Sequence, residues 1–177
     1  MNRRPLFFYF FAPFFVAFLC LAILLFSSYQ RTKSSLEESH LLQLKTRAYE
    51  VGRLISSEGS DSGWLKSIKA LTKYENSDYS LRLSVFETLG NVFFDSHART
   101  GDLPSVISLP EITECLESGD GSDIRLSSSL DDKYMYYAYR DQDRLIRTSY
   151  NYSIVRGALY SIYIPLCLGY ILSLIHI

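Results

Sequence analysis

Cysteine is scarce in this chain, with three in 177 residues: Cys20, Cys115 and Cys167. Cys20 and Cys167 lie in strongly apolar runs, so Cys115 has no cysteine partner in the segment between those runs. The sequence therefore excludes the disulfide framework that holds many small secreted domains together. No basic residue stands near Cys115 in EITECLES, and a reactive thiol needs such a neighbour. We expect Cys115 to be a small buried hydrophobic side chain.

Charged side chains are absent from residues 5–28. This region contains 22 consecutive, mostly apolar positions, PLFFYFFAPFFVAFLCLAILLF. A helix of that length crosses the roughly 30 Å of membrane hydrocarbon at about 1.5 Å per residue. A cleaved signal peptide is the alternative, but the run exceeds the usual apolar core of about 7 to 15 residues, and FSSYQ offers no good cleavage site. We expect a transmembrane helix over residues 5–28, after a cytoplasmic N-terminus at residues 1–4.

A second apolar run begins at Gly157 and continues to the end of the chain. Its last six residues, LSLIHI, match the translation of a widely used sequencing adapter. We therefore expect residues 172–177 to be an artefact; the alternative is an ordinary apolar helix end. Residues 157–171 alone would extend roughly 22 Å as a helix, which is too short to cross a membrane. They are predicted to be the start of a second transmembrane helix, cut short in a gene fragment.

The orientation of the chain is predicted from its basic residues. Arg3 and Arg4 favour a cytoplasmic N-terminus, although Arg31 and Lys33 on the other flank weaken that preference. The segment between the two apolar runs, residues 29–156, is long enough that its own charges should not decide the orientation. We expect this segment to lie outside the cytoplasmic membrane of a bacterium, anchored in the lipid bilayer by the two helices.

The middle segment begins with a predicted helix over about residues 34–57. Apolar residues recur in it at alternating spacings of three and four, from Leu41 to Ile55. This narrow apolar seam is predicted to pack on the domain's own sheet. The alternative adds a parallel contact with a second copy of the chain, as in a coiled coil.

Five segments with strand-like alternation come next: LRLSVFE and NVFFDS around a turn with Gly, then SDIRLSSSL, YMYYAYR and RLIRTSYNY. Between the second and third strands, a helix is predicted to start near Pro110 and end at Gly119, with Ser108 and Glu111 as a capping box. The order of elements predicts an α+β fold: a long N-terminal helix and a five-stranded, mostly antiparallel sheet with helices on one face.

Several short motifs then occur in a fixed order. They are Gly90, Val92, Asp95 and Ser96; Pro110, Glu111 and Ile112; Gly119, Gly121, Arg125 and Ser127; and Tyr137 and Tyr139 around Ala138. In these motifs the middle segment resembles the extracytoplasmic PAS-like, single Cache-type sensor domain of membrane sensor histidine kinases, especially of the phosphate-regulon sensor type. The resemblance covers roughly residues 30–171.

The resemblance implies that the chain is the signal-input portion of a homodimeric, two-component sensor histidine kinase. Its missing cytoplasmic half would carry HAMP, phosphoacceptor and ATP-binding regions, use ATP and Mg, and phosphorylate a cognate response regulator. The alternatives are the same sensor region joined to a chemoreceptor or cyclic-dinucleotide synthase output, or a membrane-anchored extracytoplasmic binding protein.

The chain itself has no Gly-rich phosphate loop, no cluster of metal ligands and no nucleophile elbow. We therefore expect no catalytic residue, metal site or cofactor in it, and no nucleic-acid partner. His40 lies in ESHLLQLKTR, which is similar to a phosphoacceptor helix, but the acidic residue and the Thr-Pro that should come after it are missing.

The extracytoplasmic signal is not specified by any residue cluster, but five residues are candidates for binding it: Asp95, Ser96, Arg125, Tyr137 and Tyr139. Each has an alternative role. Asp95 and Ser96 could instead accept hydrogen bonds from backbone amides at a turn. Arg125 suits an ion pair with a surface acid, and the tyrosines suit strand packing.

Overall fold

The computed structural model describes residues 4–57, 61–74, 81–97, 106–127 and 132–175. The helices are α1 (Arg4–Ser57), α2 (Asp61–Tyr74), α3 (Pro110–Ser118) and α4 (Ser153–Ile175). The strands are β1 (Arg82–Glu87), β2 (Val92–Asp95), β3 (Asp120–Leu126), β4 (Lys133–Asp141) and β5 (Arg144–Asn151). The predicted α+β class is confirmed. The end of the third predicted strand, residues 128–130, lies outside the described residues.

The chain divides into two compact units, Met1–Glu37 with Ala158–Ile177, and Glu38–Gly157. The described residues of the first unit are helical and mostly apolar. In it, the Tyr163 hydroxyl lies 2.9 Å from Thr32 Oγ1, and the Tyr170 hydroxyl donates to the Phe18 carbonyl at 3.1 Å. Two helical segments, Ala12–Ser57 and Ser153–Ser173, are long and apolar enough to cross a membrane.

The second unit contains a sheet with the strand order β2-β1-β5-β4-β3, and its four pairings are antiparallel. β5 lies in the middle and pairs with β1, which precedes it by about 60 residues, and with its neighbour β4. The burial of β5 reflects this position, since residues 145–149 are buried on both faces of the strand. Antiparallel sheets commonly leave one face to solvent, and this one does not at its centre.

Helices cover opposite faces of the sheet. α1 packs where the Thr148 hydroxyl donates to the Leu44 carbonyl at 3.0 Å, so we call this side the α1 face. α3 packs on the other side, the α3 face, where Ile112 and Cys115 form a buried cluster with Ala138 and other apolar residues. Tyr137 pairs with Thr148 across the two strands, so these two side chains point to the same side. Ala138 follows Tyr137 in β4 and therefore points to the other side, because successive residues of a strand alternate between its faces. The expectation that the helices share one face is therefore wrong.

The apolar seam of α1 packs on the domain's own sheet, as predicted. Leu44, Ala48 and Val51 are buried. α2 lies on the same face, with Trp64 buried against Phe93 at a ring-centroid distance of 5.2 Å.

The start of α3 differs from the prediction. The N-cap is Leu109, with no side-chain capping hydrogen bond, so Ser108 and Glu111 do not form a capping box. Glu111 is fully buried instead. The helix ends as expected at Gly119, whose φ of 94° lies in the left-handed region that favours glycine.

Candidate functional site

The predicted site residues do not form one site. Asp95 and Arg125 lie on the α3 face, whereas Tyr137 and Tyr139 lie on the α1 face, across the sheet from them. Strand alternation causes the separation, since Tyr137 pairs with Thr148, whose hydroxyl contacts α1. Ser96 stands just after β2, where its hydroxyl accepts a hydrogen bond from the Leu83 amide at 3.0 Å.

Asp95 is held by a buried ion pair. Its Oδ2 lies 3.1 Å from Arg82 Nη2, and the two side chains are 0% and 4% exposed. The Ser84 hydroxyl donates to Oδ2 at 2.7 Å, and the His97 amide donates to Oδ1 at 2.8 Å. Burial raises the pKa of Asp95, but these hydrogen bonds and the charge of Arg82 outweigh it, so the pKa lies below its ordinary value. Asp95 and Ser96 thus each accept a hydrogen bond from one backbone amide, and Asp95 is in addition the counter-charge of a buried arginine.

Arg125 pairs with a buried acid, Glu111, as well as with a partly exposed one, Asp123. Its Nη2 donates to Glu111 Oε1 at 2.9 Å, and its Nε lies 3.3 Å from Asp123 Oδ2. The Glu111 side chain is 0% exposed and that of Arg125 is 21% exposed. Burial lowers the pKa of Arg125, but the Glu111 hydrogen bond and charge outweigh it and leave the pKa raised. The sequence separates Glu111 and Arg125 by 14 residues, and only the packing of α3 on β3 brings them together.

Arg147 was not among the predicted site residues, yet it lies at the centre of this face. It is on the middle strand, with a side chain 6% exposed, and its Nη1 is 3.5 Å from Glu111 Oε1. Phe86 and Tyr136 flank the guanidinium, whose carbon lies 5.1 Å and 5.4 Å from their ring centroids. Burial lowers the pKa of Arg147, opposed by the charge of Glu111. Its spacing of two from Leu145 was the available signal, because such residues share a face.

We call Arg82, Asp95, Glu111, Arg125 and Arg147 the polar cluster. Buried charges are costly unless they are paired and hydrogen-bonded, so each charge in this group depends on its partners. With Asp123 included, three guanidinium groups face three carboxylates, and the formal charges cancel.

The two predicted tyrosines lie on the α1 face, where Tyr137 lines a pocket and Tyr139 packs against another tyrosine. The Tyr137 hydroxyl donates to Asp120 Oδ2 at 2.8 Å, and Lys45 Nζ of α1 donates to the same oxygen at 2.9 Å. Burial and the hydrogen bond to Asp120 raise the pKa of Tyr137. Tyr137 and Asp120 line a pocket of about 300 Å³ together with Leu41 and Lys45 of α1. Tyr139 packs edge-on against Tyr49, with ring centroids 4.3 Å apart.

Metal and thiol chemistry find no support among the described residues. Within the described parts of the chain, no group of three or more histidine, cysteine or acidic side chains could hold a metal ion. Cys115 is buried as predicted, and burial raises the pKa of its thiol to about 11, so the reactive thiolate is rare at neutral pH.

The fold is similar to that of solved bacterial structures. A methyl-accepting chemotaxis protein from Vibrio parahaemolyticus RIMD 2210633 aligns over 72% of this chain and 99% of its own, with 11% identity and a TM-score of 0.50. A periplasmic sensor domain of a chemotaxis protein aligns over 64% of this chain and 96% of its own, with 9% identity and a TM-score of 0.49. No protein-family model and no curated protein matches the chain. At this identity the similarity to the Vibrio protein concerns the fold, which does not by itself determine function.

Proposed function

We propose that this chain is the signal-input region of a bacterial transmembrane receptor, with Glu38–Gly157 as an extracytoplasmic sensor domain. One observation carries the proposal. The α+β unit is entered through a helix and left through a helix, each with a segment long and apolar enough to cross a membrane. A domain joined in this way at both ends is suited to report an external event through two spans.

The sensing step needs a ligand or partner that binds two arrangements of the domain unequally, because only differential affinity shifts such an equilibrium. The polar cluster is the favoured place for this step. Ion pairs in it join β3 and β5 to α3, so a change of partner at Glu111 alters the contacts of a helix. The five residues predicted from the sequence stay candidates, divided between the two faces.

For the output, we propose a two-component histidine kinase. The support is the ordered motif resemblance, from Gly90 to Tyr139, to phosphate-regulon-type sensors. The full-length protein would then be a homodimer in the cytoplasmic membrane. Its cytoplasmic half would use ATP and Mg to phosphorylate a histidine and then a cognate response regulator.

A chemoreceptor output is the second candidate, and a specific observation favours it. The Vibrio structure that shares this fold over 99% of its length is a methyl-accepting chemotaxis protein. The two candidates predict different coding sequences beyond residue 171 in the intact gene. A HAMP-like linker, a phosphoacceptor histidine and an ATP site support the kinase, a long signalling hairpin supports the chemoreceptor, and a stop codon just beyond the span contradicts both.

The membrane arrangement has its own test. Alkaline phosphatase, which is active only outside the cytoplasm, is fused after residue 97 and after residue 156. We expect both fusions to be active, because residues 29–156 would be exported by the first span. A fusion after residue 4 is the matched control and should be inactive. Inactive fusions at 97 and 156, with stable fusion protein present, would overturn the proposed function.

A further inference from the structure

A pocket beside β3, the outermost strand of the sheet, already holds an ammonium group, that of Lys45. Lys45 Nζ donates to Asp120 Oδ2 at 2.9 Å and lies 5.7 Å from the ring centroids of Tyr49 and Tyr137. Aromatic rings within about 6 Å of a cation attract it, and many proteins bind ligand ammonium groups in this way. The pocket next to the ion pair has a volume of about 300 Å³. An ammonium subsite therefore adjoins space for a ligand.

The ion pair of Lys45 and Asp120 is open to exchange of its cation. The two side chains are 41% and 38% exposed, and an exposed ion pair contributes little to stability. Lys45 and the Tyr137 hydroxyl both donate to Oδ2 of Asp120, so Oδ1 has no donor among the described residues. These hydrogen bonds hold the pKa of Asp120 below its ordinary value, which keeps the carboxylate charged at neutral pH. A cation that enters the pocket can take Asp120 from Lys45 at small cost.

The rest of the pocket lining restricts the charge and shape of a ligand. Glu38 of α1 and Glu114 of α3 also line it, so three carboxylates and one ammonium group leave a formal charge of −2. Within the described parts of the chain, no group of three such acids could hold a metal ion, so two separated charges suit the lining better than one ion. Leu41 and Leu42 supply an apolar wall, and Leu42 is 63% exposed. Two ammonium groups joined by a short methylene chain match these features.

We propose that this pocket is a second binding site of the domain, separate from the polar cluster, and that it takes a small aliphatic diamine. One ammonium group of the ligand replaces that of Lys45 on Asp120 and beside the ring of Tyr137. The methylene chain lies along the two leucines of α1, and the other ammonium group pairs with the glutamates of the lining. No covalent bond forms or breaks.

The exchange gives the ligand a direct effect on α1. The ion pair of Lys45 and Asp120 joins α1 to β3, and a ligand that takes Asp120 breaks this connection. Resting on the proposed sensor function, α1 is the helix through which the sensor domain is entered, so a diamine changes the contacts of an element that carries the signal. Lys45 is a built-in competitor of the ligand, and loss of its charge should strengthen binding.

The test measures binding to the full chain by titration calorimetry, in nanodiscs of zwitterionic phosphatidylcholine with the heat of empty nanodiscs subtracted. Putrescine and cadaverine are the probes. Butylamine, with one charge, and magnesium chloride are the comparisons at equal ionic strength. We expect at least one diamine to bind about tenfold or more tightly than butylamine, on the scale of one further charge-assisted hydrogen bond, and magnesium not to displace it.

Asp120→Asn tests the anchor of the ammonium group. It should weaken diamine binding about tenfold or more, as expected for the loss of a charged hydrogen-bond partner. Asp123→Asn is the matched control, because it removes the same charge from the same strand. Asp123 pairs with Arg125 on the α3 face, across the sheet from the pocket, so this variant should bind like the wild type.

Lys45→Met tests the competition. It removes the ammonium group but keeps an unbranched side chain, and it should bind the same diamine about threefold or more tightly, on the scale of a modest electrostatic contribution. Arg47→Met removes the same charge from an exposed position of α1 outside the pocket, and it should leave the affinity unchanged.

Four results would overturn the inference: binding by neither diamine, butylamine binding as tightly as the diamines, displacement of the diamine by magnesium, or equal affinities of Asp120→Asn and Asp123→Asn. Unchanged or weaker binding by Lys45→Met would overturn the exchange at Asp120.

The two proposals fail in different ways. If the phosphatase fusions are active but neither diamine binds, the second site is wrong and the sensor function stands. If the fusions place the domain in the cytoplasm, the sensor function is wrong, and the titrations alone decide the diamine site.

Discussion

Among single residues, the buried pair of Arg82 and Asp95 gives the clearest prediction. Asp95→Asn should lower the free energy of unfolding at pH 7 by about 3 kcal/mol, because it leaves the buried guanidinium of Arg82 without its counter-charge. The folded-state pKa of Asp95 lies below its ordinary value, so its ionised form adds stability above the unfolded pKa of about 4. That contribution is lost as the pH falls through the folded pKa. Urea unfolding of both proteins between pH 7 and pH 3 measures it.

The matched control is Asp123→Asn. Asp123 also pairs with an arginine, Arg125 at 3.3 Å, but its side chain is 28% exposed, so its loss should cost less than about 1 kcal/mol. An Asp95→Asn difference that does not shrink in acid would contradict the role assigned to the Asp95 charge. Equal losses in the two variants would do the same.

Local chemistry could be predicted from the sequence at this scale, and long-range pairing could not. The turn role of Asp95 depends on His97, two residues away, and the structure has that bond. Glu111 was assigned to a cap because S-x-x-E spacing is a local signal. Its partners, Arg125 and Arg147, are 14 and 36 residues away, and Leu109 takes the cap position instead. Glu111 therefore forms ion pairs with distant arginines and does not cap the backbone of its own helix.

At the scale of elements, the contact of α3 with β3 depends on Gly121. A Cβ atom there would meet the Glu111 backbone oxygen and lie 2.8 Å from the Cys115 nitrogen, so α3 would have to move away. Gly121→Ala should cost about 1–3 kcal/mol of unfolding free energy, the usual range for overpacking. Denaturant unfolding measures the loss, and faster alkylation of Cys115 should accompany it, because the thiol is buried under α3.

Gly157→Ala is the control for this substitution. A Cβ at Gly157 meets nothing within 4 Å, and the position is helical, so the change should be neutral or stabilising by up to about 1 kcal/mol. If Gly121→Ala behaves like Gly157→Ala, the close packing of α3 on β3 is wrong.

The five strands, α3 and the long first helix could be predicted because alternation and helical periodicity are properties of neighbouring residues. The two-sided covering of the sheet could not. RLIRTSYN reads as a strand with an apolar face and a polar face, yet residues 145–149 are all buried. Arg147 and Ser149 are polar residues buried on the α3 face, so their polarity gives no sign that this face is covered.

For the whole molecule, the strand order was the feature that could least be predicted from the sequence. The last strand pairs with the first, so β5 is central and β1 is an inner strand, although they are about 60 residues apart in the chain. Such pairing depends on which faces are buried together, and no local pattern encodes it. The unit that results, Glu38–Gly157, has its own buried core and includes the C-terminal part of the long helix.

This boundary predicts that residues 38–157 fold without the apolar helices. We expect a fragment of residues 38–157 to unfold cooperatively in urea, because the seam of α1 and both faces of the sheet are then present. A fragment of residues 58–157 should not fold, since it lacks Leu44, Ala48 and Val51, which are buried against the sheet.

Leu44→Ala in the longer fragment should cost about 2–5 kcal/mol of unfolding free energy, whereas Thr46→Ala, at an exposed position of the same helix, should cost far less. Folding of the shorter fragment with equal stability would show that α1 lies outside the core, and the unit would then begin at α2.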